Sequence, residues 1–259
     1  LIENKNVQFQ NIDLLDSNKL SILDNDYYYI FHLAAIVGVK NVLLDPFNVL
    51  IQNQLLLGNL IAFANTQKKL NRFIFSSTSE VYACTLKDFG LEFPTPENTP
   101  LSVGIKHESR NTYMLSKIYG ESMCVHSSLP FTIIRPHNFY GPRMGLSHVI
   151  PELLKKSYES KDNRIEVYNS DHKRSFCYIT DAIDIIYDII IDDNSVNETY
   201  NIGNEKDEVS ILEVAKLVIK SVDKELEIEK LVDENNSPLR RCPSMEKVSK
   251  IIKIKNQMS

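Results

Sequence analysis

The chain has 259 residues, 43% hydrophobic and 24% charged, with a formal net charge of −5. That length accommodates one large α/β domain or a nucleotide-binding domain with a smaller lobe, and the composition excludes the disordered and fibrous classes. Lysines and arginines are scattered among acids, so the basic stripe that nucleic acid requires is absent and no nucleic-acid partner is expected.

Val7-Gln8-Phe9, then Asp13-Leu14-Leu15-Asp16, reads as a short strand and turn leading to a helix near Ser17 to Leu23. Tyr28 to Leu33 is a continuous apolar run, the pattern of a buried strand. After Asp45-Pro46 a helical pattern runs to about Ala64, with Leu50, Asn53, Leu57, Leu60, Ile61 and Ala64 near one face. Arg72 to Ser77 is the next strand. Strands alternating with helices predict a parallel, doubly wound sheet. From Thr85 to Arg110 a polar loop with three prolines is long enough to serve as a lid or binding loop.

A helix from Thr112 to Ser127 and a strand from Phe131 to Arg135 follow. Beyond Gly141 the pattern is less regular: helices at His148 to Ser160, Asp181 to Ile190 and Ser210 to Val222, with short strands near Ile165-Tyr168 and Phe176-Ile179. This reads as a smaller substrate lobe. Asn59, Asn65, Asp184 and Asp188 interrupt the longest apolar stretches, so neither a transmembrane span of about twenty residues nor a membrane partner is expected. The four cysteines are widely separated and form no ligand cluster, which argues against a metal site and for reduced thiols in a cytoplasm. His32, at a strand end, reads as structural.

The chemistry starts at Tyr113 and Lys117. Four residues apart on a helix, they project from one face, and an ammonium beside a phenol favours phenolate, the form needed for a general base. With twelve tyrosines in a lysine-rich chain, about one such pairing arises by chance, so a half-buried tyrosine beside a solvated lysine is the competing reading. Other segments cluster with it in order: His32-Leu33-Ala34-Ala35, Ser76 to Tyr82, and Asn138 to Arg143 all end strands, where ligands bind in open α/β sheets.

Together with Asp13-Leu14, Asn53, Gly120-Glu121, Arg174 to Asp181, Tyr200 to Gly203 and Arg240-Arg241-Cys242-Pro243, these segments make the chain resemble the extended short-chain dehydrogenase/reductases that act on nucleotide sugars. Epimerases, 4,6-dehydratases and decarboxylases make up that family, and the resemblance runs from about Val7 to Ile252. It implies a Rossmann-like fold with NAD as cofactor, residues 1–145 holding NAD and residues 146–259 forming an interleaved nucleotide-sugar lobe. No Gly-x-x-Gly-x-x-Gly occurs and glycine is only about 3% of the chain against a usual ~7%, so the sheet reads as lacking its first βαβ unit.

The resemblance also implies roles. Thr78 would bond the sugar hydroxyl that Tyr113 deprotonates, and Lys117 would hold the nicotinamide ribose. Asp13 and Leu14 would meet the adenine, while Leu33, Ala34, Ala35 and Asn53 would line the cofactor. Asn138, Arg174 and Arg241 would contact the substrate's diphosphate and ribose, with Arg240 competing for the Arg241 role; Arg143 reads equally as a salt-bridge partner. Glu80 discriminates among reactions, because simple 4-epimerases carry a small residue there. Thr78-Ser79-Glu80 resembles the UDP-glucuronate decarboxylases and the GDP-mannose 4,6-dehydratases, and Arg110, three residues before Tyr113, favours the decarboxylases and a UDP-sugar. A 4-epimerase, a 4,6-dehydratase and a net dehydrogenase remain open, as does a non-catalytic nucleotide sensor or scaffold, and a homodimer is expected. Ala83-Cys84 departs from the family, which has glycine after Val-Tyr.

Overall fold

In the computed structural model, residues 4–104, 108–109, 111–232 and 238–255 are described. The helices and strands run in the order α1 (Ser17–Leu20), β1 (Tyr29–His32), α2 (Val39–Leu44), α3 (Pro46–Asn65), β2 (Arg72–Ser76), α4 (Ala83–Phe89), α5 (Asn111–Val125), β3 (Phe131–Pro136) and β4 (Phe139–Tyr140). They continue with α6 (Val149–Glu159), β5 (Arg164–Tyr168), β6 (Lys173–Ser175), β7 (Cys177–Tyr178), α7 (Ile179–Ile191), β8 (Glu198–Ile202), β9 (Glu208–Ser210), α8 (Ile211–Ser221), β10 (Glu227–Leu231), β11 (Arg240–Arg241) and α9 (Glu246–Ser249). The fold is α/β, of the Rossmann-like kind, with parallel pairing in the main ladders and an antiparallel ladder between β6 and β9. By compactness the chain divides into two bodies, residues 1–75 with 108–131 and residues 76–107 with 132–259.

In the first body β1 and β2 pair in parallel, Tyr29 opposite Arg72 through His32 opposite Phe75. Helix α3 begins where Asp45 accepts a hydrogen bond from the Asn48 amide and Pro46 supplies a preset first turn. Its inner face carries Val49, Asn53, Leu57, Leu60 and Ala64. Gly120 sets how closely α5 lies on this body: a Cβ there would sit 2.6 Å from Phe75 Cζ and 3.0 Å from Leu57 Cδ2.

Three local expectations are corrected here. Val7–Phe9 forms no strand, because no ladder partner is present for it among the described residues. The helix expected at Ser17 to Leu23 stops at Leu20. Helix α3, 20 residues long with an 18-residue window of mean hydropathy 1.3, is long and apolar enough to cross a membrane by length and composition, since its scattered Asn and Gln residues carry no charge.

The second body has β3 parallel to β8, Thr132 opposite Glu198 through Pro136 opposite Ile202. Smaller ladders pair β4 with β7, β10 with β5, and β6 with both β11 and β9. A capping box at Ser210 and Glu213 starts α8. That helix buries Ile211, Val214, Ala215, Val218 and Ile219 in a cluster with Leu153, Ile165 and Val167. The stretch expected as an uninterrupted loop from Thr85 continues helix α4 to Phe89. Burial of Cys84 and Thr85 stabilises this short helix, and Thr85 Oγ1 ties the chain back by donating to the Pro100 carbonyl at 2.8 Å and accepting from the Ser102 amide at 2.9 Å.

Candidate active site

Two sets of chemically capable side chains are built, one in each body. In the first, α5 holds Tyr113 half-buried and Lys117 4% exposed, with the Lys117 Nζ 5.8 Å from the Tyr113 ring centroid and 4.9 Å from that of Phe75. The i, i+4 spacing has put ammonium and phenol on one helix face. Burial lowers the Lys117 pKa from 10.5 to about 8, opposed by Cys124 and Glu121, so the amine stays mostly protonated at neutral pH. His32, at the end of β1, is 3% exposed, and burial with the neighbouring Lys117 charge lowers its pKa from 6.5 to about 4. Lys117 therefore faces a neutral imidazole.

Asn53 is a clamp in this structure. Its Oδ1 accepts from the Ile36 amide at 2.8 Å, while its Nδ2 donates to the Ile36 carbonyl at 3.3 Å and to Ser116 Oγ at 3.2 Å. The segment leaving β1 is thus tied to α3 and α5. Along that segment Leu33 is 66% exposed and Ala34 is exposed. Asp13 caps its own turn by accepting from the Leu15 amide at 3.0 Å, and the Leu14 carbonyl accepts from Asn59 Nδ2 at 2.9 Å.

In the second body Thr78 ends the extended segment after β2 and caps a 3₁₀ turn over Ser79–Tyr82, its hydroxyl accepting from the Glu80 amide at 3.3 Å. Arg241 Nη2 donates to Glu80 Oε1 at 2.6 Å. Arg240 points elsewhere: its Nε donates to both Glu208 oxygens at 2.8 and 3.0 Å, and its guanidinium lies 4.7 Å from the Phe93 ring centroid. Of the two adjacent arginines, Arg241 is the one at Glu80.

Arg174 is 7% exposed and donates to the carbonyls of Lys173 at 2.7 Å and Pro238 at 2.6 Å. Asn138, at φ 44°, donates from Nδ2 to the Ser175 carbonyl at 2.9 Å. Arg143 is exposed. Arg110 lies outside the described residues. Among the described residues no group of three His, Cys, Asp or Glu could hold a metal ion.

A buried network with no counterpart among the sequence motifs anchors the 3₁₀ turn. Arg135 Nη1 donates to Tyr82 Oη at 2.6 Å and to the Glu97 carbonyl at 3.0 Å, and Tyr82 Oη donates to Asn201 Oδ1 at 3.0 Å. The Asn201 amide donates to Glu97 Oε1 at 2.8 Å, and Asn201 Nδ2 donates to the Thr95 carbonyl at 2.9 Å. Burial raises the Tyr82 pKa, keeping it a neutral donor, and lowers that of His137, whose Nε2 lies 3.2 Å from Asn201 Oδ1, to about 3. The available signal was Arg135 in the largely apolar run of β3; Asn201, in the mixed strand β8, gave none.

Comparison with known proteins adds a lineage. The profile described as the NAD dependent epimerase/dehydratase family matches residues 2–203. A UDP-N-acetyl-alpha-D-glucosaminuronate decarboxylase of Bacillus cytotoxicus is 34% identical over 219 residues, covering 82% of this chain and 64% of that protein. An uncharacterized UDP-glucose epimerase of Bacillus subtilis (strain 168) is 28% identical over 222 residues, 84% of this chain and 66% of that protein. The chain thus spans just under two thirds of the length of these curated relatives. A UDP-glucuronic acid 4-epimerase from Bacillus cereus, solved in complex with UDP-glucuronic acid and NAD, superposes with a TM-score of 0.81 at 25% identity, covering 99% of this chain and 79% of that one.

Proposed function

We propose that this chain, which belongs to the NAD dependent epimerase/dehydratase family, serves in decarboxylating a UDP-linked hexuronic acid through transient oxidation at hexose carbon four. The observation that carries this reading is the carboxylate of Glu80, two residues after Thr78 and held by Arg241. The 34% identical decarboxylase supports it.

The residues present fit a nicotinamide cofactor: an open strand end at Leu33, Ala34 and Ala35, and a buried, protonated Lys117 beside Tyr113. When bound, NAD supplies a hydride acceptor for carbon four and returns the hydride at the end, so it is not consumed. Tyr113, as phenolate favoured by Lys117, takes the proton of the 4-hydroxyl while Thr78 orients that hydroxyl. Oxidation turns the substrate into a β-keto acid, whose bond from carbon five to the carboxyl group breaks to release carbon dioxide. The electron pair left behind is held as the enolate conjugated with carbon four. Glu80 and Arg241 orient the sugar for that step, and a proton then returns to carbon five. Arg174 and Asn138 serve the nucleotide end, Asp13, Leu14 and Asn53 the cofactor end, and Arg110 the substrate.

The second reading is 4-epimerisation, which the B. subtilis and B. cereus relatives favour; 4,6-dehydration follows from the same first step. The division at about residue 145 into a cofactor domain and a sugar lobe, and a cytoplasmic setting, belong to the same proposal. A homodimer does too, supported by exposed Leu44, Phe47 and Leu55 at 73%, 69% and 52% along α2 and α3. Incubating the protein with NAD and UDP-glucuronate, UDP-N-acetylglucosaminuronate or UDP-glucose, then identifying products by mass spectrometry and NMR, tests the reading. A UDP-pentose is expected from a uronate. A product of unchanged mass with inverted carbon four would replace decarboxylation by epimerisation.

A further inference from the structure

Glu121 is a buried carboxylate that the proposed chemistry does not use. It is 7% exposed and stands one helical turn beyond Lys117 on α5, as Lys117 stands one turn beyond Tyr113. Residues at i, i+4 and i+8 share a helix face, and the tight approach at Gly120, against Phe75 and Leu57, turns that face of α5 into the first body. A lone ammonium or a lone carboxylate in such a place is costly, whereas a pair compensates.

Lys117 has neighbours on β1, β2 and its own helix. From β1 comes His32, neutral at working pH because its pKa is about 4. From β2 comes the Phe75 ring, 4.9 Å from the ammonium, which carries no ionisable group. Helix α5 itself contributes Tyr113, Glu121 and Cys124. Burial pushes the Cys124 thiol up to about 12, so it is neutral wherever the enzyme would work. Of these neighbours, Glu121 is the carboxylate, and it acts to raise the Lys117 pKa.

We propose that Glu121 is a positioning residue, the counter-charge that keeps the Lys117 side chain ionised in the interior and directed along α5 toward Tyr113. This rests on the reading of Tyr113 and Lys117 as the acid–base pair. In that chemistry Glu121 touches neither substrate nor cofactor; it acts through Lys117.

The sign follows from removing an anion: in Glu121→Gln the Lys117 amine loses its proton at lower pH. The experiment is an NMR titration of the Lys117 side-chain nitrogen in ¹⁵N-lysine-labelled protein, which needs no turnover. The midpoint in Glu121→Gln is expected to fall by about 1 pH unit, the low end of the range for an opposite charge nearby. Glu121→Asp should recover most of that shift, and Cys124→Ala should leave the midpoint in place. In turnover, the alkaline fall of kcat should move down with the midpoint while KM changes little.

An unmoved midpoint in Glu121→Gln, or an equal shift in Cys124→Ala, would overturn the inference. If the NMR shift appears while the wild-type protein turns over no nucleotide sugar, the acid–base reading fails and the Glu121–Lys117 coupling stands. Should Glu121→Gln alone not fold, the Lys117→Met/Glu121→Gln pair decides by thermal melting. A cooperative melt restored by removing both charges supports the pairing, and failure to restore it counts against it.

Discussion

Arg241 and Glu80, 161 residues apart in the chain, form an ion pair of 2.6 Å with side chains only 17% and 25% exposed. Strand β11 carries the arginine and the 3₁₀ turn after Thr78 carries the acid, so the pair pins that turn to β11 within the second body. Such a shielded, charge-assisted bond is worth about 1.5–3 kcal/mol.

Replacing Arg241 by Gln should therefore lower stability by about 2 kcal/mol, read as a shift in the urea midpoint. Glu80→Gln keeps an acceptor for Arg241 and should cost less. Its effect should fall on turnover instead, with carbon-four oxidation surviving and uronate decarboxylation slowed. Loss of oxidation as well would mean that Glu80 chiefly positions the sugar.

For Tyr113→Phe we expect turnover to drop by at least ~100-fold, since a positioned acid–base group contributes about 10²–10⁴. Substrate affinity, measured by calorimetry, should largely survive. Near-normal turnover would remove Tyr113 from the mechanism.

His32 makes the protein acid-sensitive. Its folded pKa of about 4 lies below the ordinary 6.5, so the unfolded chain binds the extra proton between those values. The stability it contributes is complete above pH 6.5 and is lost as pH falls through about 4, a change on the order of 3 kcal/mol. Among the described residues neither His32 ring nitrogen has a hydrogen-bond partner, and the ring lies 5.6 Å from that of Phe75. Urea midpoints measured from pH 7 down to 4 should thus fall less steeply in His32→Phe than in the wild type, with a residual slope from His137, whose pKa is about 3. Parallel slopes would show that His32 is not buried in its neutral form.

Gly120→Ala should cost about 1–3 kcal/mol, because the added methyl meets Phe75 Cζ at 2.6 Å in a place that cannot open without moving α5. Tyr113 and Lys117 ride on that helix. Thermal melting should report the loss of stability, and turnover should fall further than melting alone explains.

Much of this was legible in local patterns. The four-residue spacing of Tyr113 and Lys117 was enough to place both on one face of α5, because helical geometry depends only on the residues within it. Strands β1, β2 and β3 lay within one residue or so of where their apolar runs put them. Helix α4 was not legible: Ala83–Phe89 has weak helical periodicity and is held by the burial of Cys84 and Thr85. The Arg135–Tyr82–Asn201 network was equally hidden, since its members come from three separate segments.

The sequence by itself determined the alternation of strands and helices, the family and the types of reactive side chain. These follow from periodicity and short motifs, which a chain carries without folding. Only the tertiary structure decided that Arg241 rather than Arg240 meets Glu80, that Asn53 clamps the Ile36 backbone, and that His32 is neutral beside a protonated Lys117. Each of these depends on which distant groups share a buried space, and burial alone sets the cost of a charge and the partner that must answer it.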